Sequence, residues 1–294
     1  MYKLLIFAGA VSLQVMGAAE PVREVSYRGA DLTPTNTRPT FDHGYLAVHD
    51  FKKINIYAPD GSFAFSFGSP RGGLIASVAV DTDGAVAAAL GYVPSDRGPG
   101  FIVLDRTGAV KADVATGPYR PTQVCFAADH SIWTIGMVRT PETPDYFLLR
   151  HYAREGQELG AYLAHSSLKQ TGDLQPAMYH VGGWNMQAAK DRIGAYLNYG
   201  NHEERVWIEV GLDGKELGRW KFPAGFHGAP SAFTQSGAVY SQAEEGLFLL
   251  DHSTGNWNPV PPPSDGRLLG ADGDNLVFAI YAEGRLRYLP ATQQ

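Results

Sequence analysis

Short runs of alternating polarity, each closed by a turn that usually contains glycine, recur along the whole chain, and no other feature constrains the fold as much. The clearest unit covers residues 39–68, PTFDHGYLAVHDFKKINIYAPDGSFAFSFG, with four runs divided by Asp42-His43-Gly44, a short loop and Asp60-Gly61. Asp-Gly between alternating runs marks a tight hairpin, because glycine accepts the positive φ that such a turn demands. The same order returns at 75–114 (Asp83-Gly84, Thr107-Gly108), 122–163 (Asp129-His130, Glu155-Gly156), 184–222 (Asp213-Gly214) and 230–260 (Thr254-Gly255). The last-hairpin glycines stand at 61, 108, 156, 214 and 255, so they lie 47, 48, 58 and 41 residues apart. Four strands in a period of about 40–50 residues predict one propeller blade per repeat. An apolar period of two argues against helical repeats of similar length.

A sixth unit, residues 267–289, holds only three strands, and the segment Val22–Tyr27 supplies a fourth from the other end of the chain. Pairing the two would close the ring and remove its open edges. The expected fold is therefore all-β: a six-bladed β-propeller with four antiparallel strands per blade, the last blade closed by the N-terminal strand. The blades are expected at 38–68, 72–117, 120–164, 183–224, 228–261, and 267–290 with 21–28. On these units, with Pro before the first strand and an Asp-x-x-Gly hairpin after the third in residues 39–68 and 120–163, the chain resembles the six-bladed propellers of the NHL-repeat and TolB-like type. That resemblance implies an architecture and no single activity, since similar propellers include lactonase-like, lyase-like and purely binding members.

Residues 1–19 carry Lys3, the apolar stretch Leu4–Val11 and the small residues Gly17-Ala18-Ala19, the pattern of a cleaved secretory signal peptide. The expectation is a secreted or periplasmic protein cut after Ala19, with residues 20–294 as one propeller domain, no membrane span and a monomeric state. With 24 basic and 30 acidic residues the chain lacks the basic footprint of a nucleic-acid binder. Its lone cysteine, Cys125, excludes an intramolecular disulfide and a multi-cysteine zinc site, and reads as a buried thiol in an apolar strand.

In a four-stranded blade, the first-to-second and third-to-fourth turns share one face; here they are tight. The opposite face collects the longer loops, including 91–100, 138–145 and 165–183, and loops on a rigid frame are where binding residues gather. On that face a cationic or imidazole side chain precedes each innermost strand: Arg38, Arg71, Arg120, His180, His227 and Arg267. Such a ring suits a carboxylate or phosphate. The reading is a ligand- or protein-binding module for an anionic small molecule or an envelope or extracellular protein, with no reaction assigned and no metal or cofactor expected. The alternative is a channel-centred, metal-dependent hydrolase or lyase using His180 and His227, as the lactonase-like and lyase-like propellers imply. His43, His130 and His252 fall in tight turns and read as ordinary turn residues.

Overall fold

The computed structural model describes residues 23–30, 32, 38–69, 72–92, 98–138, 146–168, 174–175, 186–199, 204–223, 231–261 and 266–291. The alternating runs form strands in six antiparallel sheets. The closing strand is β1 (Arg23–Ser26). Blade one holds β2 (Arg38–Asp42), β3 (Tyr45–His49), β4 (Lys53–Tyr57) and β5 (Phe63–Gly68). Blade two holds β6 (Leu74–Val80), β7 (Val86–Tyr92), β8 (Gly100–Leu104) and β9 (Val110–Ala115). Blade three holds β10 (Tyr119–Phe126), β11 (Ile132–Val138), β12 (Phe147–Tyr152) and β13 (Glu158–Ala164). Blade four holds β14 (Leu174–Gln175), β15 (Met186–Ala188), β16 (Arg192–Tyr199), β17 (Glu204–Gly211) and β18 (Glu216–Lys221). Blade five holds β19 (Ser231–Phe233), β20 (Val239–Ala243), β21 (Gly246–Leu250) and β22 (Trp257–Val260), and blade six β23 (Arg267–Asp272), β24 (Asn275–Ile280) and β25 (Arg285–Pro290). The molecule is a six-bladed β-propeller.

The closure takes the expected form. β1 pairs antiparallel with β25, from Arg23 opposite Tyr288 to Ser26 opposite Arg285. Val25 and Tyr27 bury their side chains there, while Glu24 bonds Arg285 and Arg287 at 2.9 and 2.6 Å on the outer side. Blade four departs from the four-strand plan, because both β14 and β15 pair with β16. β16 spans eight residues and β15 only three, so β15 leaves Asn198 and Tyr199 uncovered. β14, from the long connection, covers those two positions and blunts the edge.

Burial follows position within each blade. The middle strands are covered on both sides by neighbouring blades and read as unbroken apolar runs, such as GFIVL of β8, buried at every residue. The outer strands β5 and β9 meet solvent and show the same half-exposed pattern. Buried hydrophobic residues gather in six clusters, one between each pair of adjacent blades. The blade, which cannot bury both faces alone, is stabilised only in the ring.

The last-hairpin glycines serve these interfaces as well as the turns. Gly214 has φ +83°, and a Cβ on it would lie 2.0 Å from the Tyr162 ring of blade three. Gly61, also at +83°, would place a Cβ 2.2 Å from the Ser26 carbonyl oxygen of the closing strand. A Cβ on Gly108 or Gly156 would likewise lie 2.8 Å from Phe65 or 2.3 Å from Val114 of the preceding blade. Gly214→Ala is therefore expected to destabilise the fold by about 2–4 kcal/mol, from left-handed strain plus overpacking. A denaturant melt checks this value, and a change below about 0.5 kcal/mol, the level of an ordinary surface substitution, would show that the seat is not tight.

Candidate ligand site in the axial channel

The innermost strand of each blade leaves one edge unpaired toward the axis, and its N–H groups need acceptors. The preceding blade supplies them from side chains. Asp42 Oδ2 accepts from the Val80 N–H at 3.2 Å, Ser77 Oγ from Val124 at 3.4 Å, and Gln187 Oε1 from Phe233 at 2.6 Å. At the next interface Gln242 Oε1 accepts from the Leu268 N–H at 2.7 Å, and its amide donates to the Gly266 carbonyl. Several polar groups near the axis are thus engaged in joining blades.

A cavity of about 480 Å³ remains along the axis. At one end it reaches His49, which lies opposite Arg38 in the β2–β3 ladder. At the other end it meets the residue after the innermost strand, or one residue beyond, in all six blades: His43, Thr82, Ala128, Lys190, Gln235 and Gly273. Its walls alternate small apolar residues, such as Ala76 and Ala188, with hydroxyl, amide and carboxylate groups. The Thr40 hydroxyl is buried in this wall with no hydrogen-bond partner among the described residues. Asp272 is half-buried at the mouth, and burial raises its carboxyl above the ordinary range. Cys125 lines the cavity as a buried thiol whose proton affinity burial raises well above normal, consistent with an unreactive group.

Of the residues expected to ring the long-loop end, Arg71, His180 and His227 lie outside the described residues. Arg38 opens β2. Arg120 is half-buried in β10, opposite Met137. Arg267 is half-buried at the start of β23 and hydrogen-bonds Tyr281. Neither Arg120 nor Arg267 is among the described residues that line the cavity. Among the described residues, no three His, Cys, Asp or Glu side chains stand together as a metal ion would require.

Sequence reasoning missed the turn histidines. His43 Nδ1 lies 3.1 Å from Asp42 Oδ1 and donates to the Val80 carbonyl of blade two at 2.9 Å. The Asp42 carboxylate lifts its imidazole to about 9. His130 meets the buried Asp81 of blade two at 2.9 Å, and His252 meets the buried Glu209 of blade four at 2.6 Å. The signal present in the sequence was a histidine where the turn favours glycine: His43 and His130 have φ of 47° and 65°.

No family model matches the sequence, and no curated protein matches it. Solved structures do. The chain is similar to one in a crystal structure of the mitotic checkpoint complex, with a TM-score of 0.53, 14% identity, and 100% of this chain and 98% of that one covered. It is also similar to a streptogramin B lyase, with a TM-score of 0.51, 10% identity, and 85% and 76% covered. A gluconolactonase from Xanthomonas campestris follows at 0.48 and 15%, with 86% and 84% covered. At such identities the likeness concerns the fold alone, the β-propeller.

Proposed function

We propose that the protein is an exported binding module that takes a small polar ligand into the axial channel, with the long-loop face and its basic residues at the entrance. The observation that carries this reading is the axial cavity itself, with polar and small apolar walls drawn from all six blades. A pocket that combines apolar surface with a few placed polar groups is the usual form of a small-molecule site. The engagement of Asp42, Ser77 and Gln187 in blade contacts favours binding over catalysis, because those groups are already committed as hydrogen-bond acceptors. The long-loop arginines give the ligand an anionic group, a carboxylate or a phosphate.

The test is thermal-shift and calorimetric titration with citrate and with inorganic phosphate. The double variant Arg38→Gln/Arg120→Gln is expected to weaken the better of the two by on the order of 10–100-fold, at about 1.4 kcal/mol per decade. Unchanged affinity in that variant would remove the basic entrance. Metal analysis of the dialysed protein accompanies it: stoichiometric zinc or calcium would overturn the reading in favour of a metal-dependent hydrolase or lyase centred on His180 and His227. Export is tested by the N-terminus of the exported protein, expected at Glu20. Such a cut leaves only Glu20-Pro21-Val22 ahead of β1, so the closing strand becomes the start of the mature chain.

A further inference from the structure

Three turn histidines on the tight-turn face repeat one arrangement. In each, an imidazole on a hairpin turn meets a carboxylate at a blade interface. The pair of His43 and Asp42 grips both backbone groups of Val80 across the first interface: Asp42 accepts from the Val80 N–H at 3.2 Å and His43 donates to its carbonyl at 2.9 Å. His130 of blade three reaches Asp81 of blade two, and His252 of blade five reaches Glu209 of blade four. Two of these histidines hold a left-handed backbone, a strained conformation that persists where the surroundings enforce it. His43 and Asp42 also line the channel at its tight-turn end.

We propose that the His43–Asp42 pair forms a charge-dependent latch at the tight-turn end of the axial channel and governs access to the channel from that side. The proposal concerns regulation of the channel that the reading above takes as the binding site. Facing His43 are Asp42 on its own turn, Asp81 and the Val80 carbonyl from blade two, and Asp272 from blade six. Facing His130 are Asp81, Asp83 and Arg154. His252 shares Glu209 with Arg192 and Trp207 and sets its ring edge-on to Trp220. The His43 imidazole is thus set among three carboxyl groups, those of Asp42, Asp81 and Asp272, and loss of its charge leaves them less compensated.

For His43 the sign is fixed by its raised value of about 9. A group bound more tightly to its proton in the folded state stabilises that state fully below its unfolded value of about 6.5, and the contribution fades as pH rises through about 9. The latch is therefore closed at neutral pH and loosens in alkaline solution.

Cys125 provides the readout, because it is the one cysteine of the chain, is buried, and lines the same cavity. Its labelling rate with a neutral thiol reagent is the product of channel opening and intrinsic thiol reactivity, and a ratio of two proteins at one pH cancels most of the second factor. His43→Asn, which tolerates positive φ and carries no charge, is expected to label on the order of tenfold faster than the natural protein at about pH 7, and within about twofold of it at about pH 9.5. In an Asp42→Asn background the His43 substitution is expected to add nothing. An equal ratio at both pH values, or no difference at either, would overturn the latch. Should His43→Asn fail to fold, the His43 imidazole is titrated by NMR in the natural protein, where a midpoint near the ordinary value of about 6.5 would overturn it equally. Labelling reports access whether or not any ligand binds, so failure of the latch and failure of the binding reading are separable.

Discussion

Removal of residues 20–27 is expected to cost the propeller most of its stability. The closing strand brings Val25 and Tyr27 into the interface between blades six and one, where they pack with Phe41, Leu286 and Tyr288. Burying two such side chains contributes about 3–6 kcal/mol. The four-residue ladder to β25 and the ion pairs of Glu24 add to that. A domain of this kind holds about 5–15 kcal/mol in all, so the truncated chain should melt at a much lower temperature or aggregate through the bared edge of β25. Its midpoint is read by circular dichroism. Adding a peptide of residues 20–28 in trans is expected to restore much of the lost midpoint. A truncated protein that melts like the full chain would mean the ring does not depend on this closure.

The second large effect is expected at Glu209. This side chain is completely buried, yet it carries a carboxylate, and three donors converge on it: Trp207 Nε1 at 3.0 Å, Arg192 Nη1 at 3.1 Å and His252 Nε2 at 2.6 Å. Glu209→Ala takes the acceptor away and leaves the buried Trp207 N–H without a partner. Breaking a buried ion pair from one side costs about 3–5 kcal/mol. The lower part of that range is expected, because Arg192 and His252 remain about one-third exposed and regain water. Glu209→Gln keeps an acceptor for Trp207 and should lose less. Denaturant unfolding of both variants checks the order. A Glu209→Ala protein within about 1 kcal/mol of the natural one would show that the cluster adds nothing beyond surface pairs.

The fold was legible because its determinants are local. Hairpin glycines and the period-two alternation each sit within a few residues of the turn or strand they specify, and even the closure could be read, since blade six lacked a strand that residues 22–27 supplied. Blade four was less legible. The two residues Leu174 and Gln175 carry no alternation of their own and become a strand only because β16 outruns β15. The blade interfaces were harder still, for the contacts that join them link distant positions. His130 and Asp81 are 49 residues apart, and His252 and Glu209 are 43 apart. No spacing rule links a turn histidine to a carboxylate in the neighbouring blade. The acceptors Ser77, Gln187 and Gln242 carry no signal in the sequence for the same reason: their partners are backbone groups of the next blade.

Binding in the axial channel is tested most directly by native mass spectrometry of the full chain mixed with a panel of small anionic metabolites, beside a variant whose mouth is narrowed. Ala128 is exposed in the turn at the tight-turn end, so Ala128→Trp narrows that mouth with little effect on folding. The expected result is a one-to-one adduct of unchanged ligand mass on the natural protein, retained in Ala128→Trp, which leaves the long-loop entrance open, and absent once Cys125, on the channel wall, has been capped by a bulky thiol reagent. An adduct that survives the capping would place binding elsewhere, and a ligand recovered in chemically altered form would make the propeller an enzyme.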